Sequence, residues 1–481
     1  MAEKIKMRDM IVILPGITGS VLQKDGKDIW AVSGQAFSQI LTSMGDSIQQ
    51  LKLIDDDPEA ESLGDGIKAV RIARDTHLIP GLIKVDGYTK TSRLITDNFD
   101  IISGNIYEDA DDKAANFYHF PYDWRRDNRA NARILKKLLD KRLKTWREFS
   151  ANQDAKVILL AHSMGGLVSR YYLEVLQGWQ DCKALFTFGT PYRGSLNSVN
   201  SVANGYKKLF LDFTEVMRSF TSVYQLFPIY EVVKIGDTYQ RIAETDNLPH
   251  IDKKRAADAL AFHREIEAAV KTNWNNQDYR NNYKTVPIVG IQQPTFQSAS
   301  LIDGKLTVSE DLPQILQSRP DLSEGDGTVP QVSAIPIELS NSFNNNFIAE
   351  KHGSLQNSNQ ILEDLLNRLK TSQFDLGAVR APQSAINLSL DDLYLADEVV
   401  KMRARVISQF PISGKLKAII TSVFDEANTF NFDFEEQEKE WILNVDDLKP
   451  GLYRLRVETA NSGQQFPTPV HDVFEVVNVN S

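Results

Sequence analysis

The segment Val157-Ile-Leu-Leu-Ala-His-Ser-Met-Gly-Gly166 carries the strongest chemical signal in the chain. Four apolar residues predict a buried strand, and the glycine pair predicts the opening of a helix, so Ser163 falls at the turn between them. A serine held at such an apex projects its hydroxyl out of the sheet, where it can attack a carbonyl carbon. The turn is sharp, so the residues two places away on each side must be small. Ala161 and Gly165 meet that demand.

A serine hydroxyl needs a base, and the base needs an acid to orient it. When a strand–turn–helix elbow carries the nucleophile, the acid and then the histidine follow it along the chain. The histidines after Ser163 are His250, His263, His352 and His471. His250 and His263 fall in an aromatic-rich insertion, and His471 falls among alternating strands. His352 follows the short run Phe347-Ile-Ala-Glu350 in the loop Lys351-His-Gly-Ser354, where a base at the carboxyl end of a strand should stand. Asp326, set between glycines in Gly325-Asp-Gly-Thr-Val-Pro330, is the best-placed acid, with Asp321 and Glu324 as fallbacks. His162 adjoins the serine, but at so tight a turn its ring cannot easily reach Ser163 Oγ, and it is not assigned the proton transfer.

An oxyanion formed by that attack needs two fixed N–H donors. One is expected from Met164, directly after the nucleophile. The second is expected from Ile17, in the early loop Pro15-Gly-Ile-Thr-Gly-Ser20. That loop lacks the Lys-Ser/Thr ending of a phosphate-binding loop. Gly16 and Thr18 beside it, and Tyr224 and Phe227 in the insertion, are the expected substrate contacts. No metal and no cofactor is called for.

The elements that must position these groups read as an α/β fold. Ile11–Leu14, Val157–Leu160, Ala184–Phe188 and Val286–Ile291 are apolar runs suited to strands buried on both faces. Ala69–Ala73 is a further strand candidate. Apolar residues at Leu135, Leu138, Leu139, Leu143 and Trp146 predict a helix across Arg129–Phe149, and Leu167–Leu176 predicts another. Strand, helix and strand in this order argue for a parallel sheet with right-handed crossovers. Residues 195–285 form a predicted helical insertion with Phe210, Phe213, Phe220, Tyr224, Phe227 and Tyr230. Leu362–Leu369 reads as a closing helix. After Ser372 the apolar period becomes two, as in Met402, Ala404 and Val406, in Phe430, Phe432 and Phe434, and in Tyr453, Leu455 and Val457. Short alternating strands of this kind predict a small β-sandwich of immunoglobulin or fibronectin type. The division expected is therefore 1–375 for an α/β-hydrolase domain and 385–481 for the sandwich.

The 481 residues suit two or three domains, and 42% hydrophobic content permits a large core. A net charge of -10 argues against nucleic acid as a partner. The single cysteine, Cys182, excludes a disulfide framework and reads as a packed residue. No signal-peptide pattern or membrane-length apolar run is present, which makes the cytoplasm the default location. Peripheral membrane association and non-classical export stay open.

These segments resemble the lecithin:cholesterol acyltransferase family, which includes lysosomal phospholipase A2 and phospholipid:diacylglycerol acyltransferases. The matching stretches are Ile13-Leu-Pro-Gly-Ile-Thr-Gly-Ser20, Phe120-Pro-Tyr-Asp-Trp-Arg-Arg126, Ala161-His-Ser-Met-Gly-Gly166, Phe188-Gly-Thr-Pro-Tyr-Arg-Gly194, Arg218-Ser-Phe-Thr-Ser-Val-Tyr-Gln-Leu-Phe-Pro228, Gly325-Asp-Gly-Thr-Val-Pro330 and Lys351-His352. They run in family order from about Met10 to Leu369. The chain looks like a bacterial-type member with an added C-terminal β-domain. The resemblance implies Ser163, Asp326 and His352 as a triad and Ile17 and Met164 as oxyanion donors. It also implies a cap and lid over an acyl-chain site, and transfer of an acyl group from a glycerophospholipid to water or an alcohol. The partner would then be a lipid, with peripheral membrane contact through the cap. Asp123 is expected to pair with Arg125 or Arg126 around a buried Trp124. The alternatives are a carboxylesterase or thioesterase on a non-lipid ester, and a catalytically silent binding protein on the same fold.

Overall fold

The computed structural model describes residues 4–30, 49–73, 77–79, 83–108, 114–208, 211–340, 343, 346–372, 374, 384–408, 415–425, 427–438, 440–460 and 466–478. Phe210, expected in the insertion, lies outside them.

Six parallel strands form the central sheet: β1 (Met10–Leu14), β2 (Phe117–His119), β3 (Val157–His162), β4 (Cys182–Phe188), β5 (Lys284–Gly290) and β6 (Phe347–Ile348). Their order across the sheet is β6-β5-β4-β3-β1-β2. Every residue of β1 and β3 is buried, the signature of strands covered on both faces. Helix α1 (Asn128–Ser150) starts where the Asp127 carboxylate accepts from Arg129 N and ends at a left-handed Ala151. Its stripe of Leu135, Leu139, Leu143 and Trp146 is buried as the spacing predicts. Helix α2 (Met164–Arg170) leaves the end of β3 and continues as a π-helical turn, Tyr171–Val175. Cys182 is buried in β4, and burial pushes its thiol up.

The chain from Ser195 to β5 is mainly helical, with α3 (Leu196–Asn204) and α4 (Lys253–Asn273) as its longest elements. It also holds a hairpin, Val233–Ile235 with Thr238–Gln240, which joins the hairpin Ser298–Ile302 with Lys305–Ser309 in a four-stranded sheet. The strand expected at Ala69–Ala73 exists as Ile67–Ile72, but it pairs antiparallel with Ser20–Lys24 outside the central sheet. Ser20–Lys24 turns at Asp25-Gly26, both at positive φ, into Lys27–Trp30. Asp-Gly is the residue pair such a hairpin turn favours. Helix α5 (Asn359–Thr371) closes this part of the chain.

In the C-terminal β-rich region the described residues form two sheets. One is ordered β7-β9-β13-β12, from β7 (Ser384–Leu390), β9 (Val400–Ser408), β12 (Glu435–Gln437) and β13 (Glu440–Val445). The other is ordered β8-β15-β14-β10-β11, from β8 (Leu393–Leu395), β10 (Leu416–Ser422), β11 (Thr429–Asp433), β14 (Gly451–Thr459) and β15 (Val470–Val477). Met402 and Ala404 from one sheet and Tyr453, Leu455 and Val457 from the other fill a shared core. Phe430 and Phe432 only border it. The opposite side of β15 faces the central-sheet half, and Val477 and Leu393 belong to that larger core. Among the described residues, no helix is long and apolar enough to cross a membrane.

Candidate active site

Ser163 sits between β3 and α2 at φ 51° and ψ -124°, a backbone conformation that an L-residue holds only when its surroundings enforce it. They do so by hydrogen bonds: Ser163 N donates to Phe188 O at 2.9 Å, and Ser163 O accepts from Gly166 N and from Thr190 Oγ1. The small flanks are needed. A Cβ on Gly165 would stand 2.4 Å from Pro15 O.

His352 opens a 3-10 turn after β6 and points its ring at the serine. Its Nε2 lies 2.9 Å from Ser163 Oγ, and its Nδ1 lies 2.7 Å from Asp326 Oδ2. A carboxylate can only accept, so Nδ1 carries the proton and Nε2 is left free to take one from the serine. The second oxygen of Asp326 accepts from Thr328 N at 3.0 Å and Val329 N at 2.7 Å. Asp326 is 1% exposed and fixed on both oxygens. Its Asp-Gly pair is thus an acid-presenting turn. Asp321 pairs with Arg319 at the surface instead, which removes it as a rival acid. Gly189, at φ 60°, lines this contact: a Cβ there would fall 2.7 Å from Asp326 Oδ2 and 2.9 Å from His352 Nδ1. Ser163, His352 and Asp326 thus stand in the geometry of a Ser-His-Asp triad, the arrangement a serine-hydrolase mechanism uses.

His162 has a role that its position in the sequence did not reveal. Tyr88 Oη accepts from Gly16 N at 2.8 Å and lies in hydrogen-bond contact with His162 Nδ1, 3.0 Å away. His162 Nε2–H then donates to His352 O at 3.0 Å. The relay runs from the Gly16 loop to the backbone of the base. Tyr88 lies in a stretch without a recognisable motif, and only the fold brings it here.

Gly16 packs against the elbow, where a Cβ on it would meet Ser163 Cβ at 2.9 Å. Ile17, which follows Gly16, and Met164, which follows Ser163, are both buried. Thr18 has a positive φ and a buried Oγ1 without a hydrogen-bond partner among the described residues. Tyr224 and Phe227 are buried 4.9 Å apart in the insertion. The Tyr224 ring lies under Arg255 and its hydroxyl accepts from Asp252 N at 3.4 Å, so these contacts are to α4 and its cap. His263 is buried in α4, where its Nε2 meets Gln225 O. Burial pushes it down to about 4 and keeps it neutral. Asp123 pairs with Arg125 at 2.6 Å beside a buried Trp124, as expected, while Arg126 reaches Asp56. Among the described residues, no cluster of His, Cys, Asp and Glu could hold a metal ion.

The family model for lecithin:cholesterol acyltransferase matches residues 102–360, more than half of the chain. The chain belongs to the lecithin:cholesterol acyltransferase family. The match contains the whole triad. The phospholipase A(1) LCAT3 of Arabidopsis thaliana is 26% identical to this member over 267 residues, 51% of this chain and 54% of its own length. The chain therefore spans about half the length of that curated relative. A Bacillus licheniformis lipase in its propeptide form aligns over 98% of this chain and 95% of its own, at 11% identity and a TM-score of 0.35. A CARDB domain from Pyrococcus furiosus, solved with di-metal ions, aligns over 20% of this chain and 89% of its own, at 11% identity and a TM-score of 0.15. Both scores are too low to bear on the fold or the site.

Proposed function

We propose that this protein is a lipid acyl hydrolase and O-acyltransferase that works on glycerophospholipid or related lipid esters through an acyl-Ser163 intermediate. The observation that carries the proposal is the closed Ser163–His352–Asp326 triad inside a chain segment of this family. The likeness to a phospholipase A(1) favours a phospholipid among lipid esters.

In this reading Ser163 Oγ attacks the acyl carbon as its proton moves to His352 Nε2. The Ile17 and Met164 N–H groups hold the tetrahedral oxyanion. Collapse breaks the ester bond, and His352 gives its proton to the departing alcohol oxygen. Water or a second alcohol then attacks the acyl-serine, losing its proton to His352, and the proton returns to Ser163 Oγ. Asp326 fixes the His352 tautomer throughout. Gly16 and Thr18 border the substrate, and Tyr224 and Phe227 pack the insertion that covers it.

The test is incubation of wild type and Ser163→Ala with mixed phospholipid vesicles containing a sterol or diacylglycerol, followed by mass spectrometry. Lysophospholipid and free fatty acid from wild type alone are expected, and a new acylated alcohol marks transfer. Lipid turnover that survives in Ser163→Ala refutes the mechanism. Fluorophosphonate labelling at Ser163 without any lipid product moves the substrate to a soluble ester or thioester.

A further inference from the structure

The C-terminal β-region meets the rest of the molecule at the two loops that carry the base and the acid. Glu350 lies two residues before His352, and its side chain is only 2% exposed. Its carboxylate accepts from Lys351 N at 3.0 Å, from His471 N at 2.8 Å and from His471 Nδ1 at 2.9 Å. Both His471 bonds come from β15. On the acid side, the buried amide of Gln293 acts as a strand partner for β7. Its Nε2 donates to Ile386 O at 2.9 Å, and its Oε1 accepts from Leu388 N at 3.2 Å. Gln293 N donates to Gly325 O at 2.9 Å, next to Asp326. A third tie runs through Asp86. Its N donates to Gly353 O at 2.9 Å, and its carboxylate accepts from Arg454 Nε of β14 at 2.6 Å.

All three ties enter the backbone within two residues of His352 or Asp326. His352 N also donates to Asp326 O at 2.8 Å, so the two loops are held to each other as well as to the β-region. Hydrogen bonds to a buried carboxylate are short, strong and directional, so they fix backbone position more tightly than apolar contact alone. Triad chemistry depends on that position to within fractions of an ångström.

We infer that His471 is a positioning residue for the catalytic base. It acts through Glu350, so that the C-terminal β-region is a working part of the active site. The inference rests on the Ser163–His352–Asp326 reading. It assigns the added region the task of holding the His352 loop at the distance proton transfer needs.

The test uses the full chain. His471→Ala removes the Nδ1 bond and keeps the backbone one, while His471→Asn restores a side-chain donor at nearly the same place. Glu350→Gln retains an acceptor for the backbone N–H groups and turns a donor toward the ring. Arg405→Ala, at an exposed side chain of β9 that pairs with Glu440, is the control. A fluorophosphonate first counts reactive Ser163. Then kcat, KM and the pH dependence of kcat/KM are measured per reactive site with a short soluble ester. His471→Ala and Glu350→Gln are expected to lower kcat per site about 10- to 100-fold. KM should stay within about twofold and the acid limb of the profile should move. His471→Asn should recover most of the loss, and Arg405→Ala should match wild type. Fewer reactive sites, with kcat per site and pH profile unchanged in both His471→Ala and Glu350→Gln, overturn the inference and leave a structural contact. If His471→Ala yields no folded protein, Glu350→Gln decides by the same criterion. Failure of wild type itself to label at Ser163 is a separate result and refutes the triad reading instead.

Discussion

Tyr88→Phe tests the relay that joins the Gly16 loop, with its proposed oxyanion donor, to the base. The substitution removes one oxygen from a fully buried ring and leaves the packing shape almost unchanged, so any effect comes from hydrogen bonding. Two buried groups lose their partner together: Gly16 N–H, now 2.8 Å from the hydroxyl, and His162 Nδ1, now 3.0 Å from it. Each unsatisfied group costs about 1–3 kcal/mol, so the variant should lose about 2–6 kcal/mol of stability, with the lower end reached where a water enters. Urea unfolding followed by tryptophan fluorescence reads this directly. Activity should fall as well, because Gly16 precedes Ile17 and its loosened N–H frees the proposed oxyanion donor. A drop in kcat of about tenfold corresponds to about 1.4 kcal/mol of lost transition-state contact. In a His162→Leu background the same substitution should cost less, with a coupling of about 0.5–3 kcal/mol between the two sites. A Tyr88→Phe protein within about 0.5 kcal/mol of wild type, with unchanged kcat/KM on a soluble ester, would refute the relay.

Other substitutions probe the triad, the elbow and the C-terminal region. Asp326→Asn should keep the fold while lowering kcat by about 10⁴-fold, because an amide facing Nδ1 favours the wrong tautomer; near-normal turnover would remove Asp326 from the triad. Gly165→Ala places a Cβ 2.4 Å from Pro15 O, a backbone atom that cannot step aside. It should lower both folded yield and fluorophosphonate labelling, and normal values for both would show the elbow to be looser than its geometry implies. Glu475, buried in β15, has its carboxyl raised by burial from 4.5 to about 8. A carboxyl raised in the folded state contributes stability that is complete below its unfolded value and is lost as pH rises from about 4.5 to about 8. At about 1.4 kcal/mol per tenfold, that loss is of the order of several kcal/mol. Glu475→Gln should therefore match wild type near pH 4.5 and exceed it increasingly up to pH 8 in urea unfolding. A stability difference that does not change with pH would refute the assignment.

The triad was legible in the sequence because each member is announced by local constraints. Ser163 requires a buried strand before it and small residues around it, and Gly165 is required by the approach of Pro15 O. Asp326 sits in a turn whose following N–H groups close on its own carboxylate, which is a local event at positions 326–329. The central strands β1 and β3 were legible for a similar reason, since they are buried along their whole length and must be apolar throughout, whereas the short edge strand β2 (Phe117–His119) was not read from the sequence.

What the sequence left open depends on contacts made across long stretches of chain. Ile67–Ile72 was readable as a strand, but its partner was not, because period-two alternation is the same in any half-buried sheet. Tyr88 meets His162 across 74 positions, and His471 meets Glu350 across 121. Nothing in the residues beside Tyr88 or His471 distinguishes a tyrosine or histidine that holds an active site from one that packs at a surface. Sequence by itself determined which groups can do the chemistry, because a nucleophile, its acid and its glycines must satisfy steric rules within a few residues. Only the tertiary structure decided what holds them in place, because hydrogen bonds between distant segments exist once the sheet and the C-terminal region have packed.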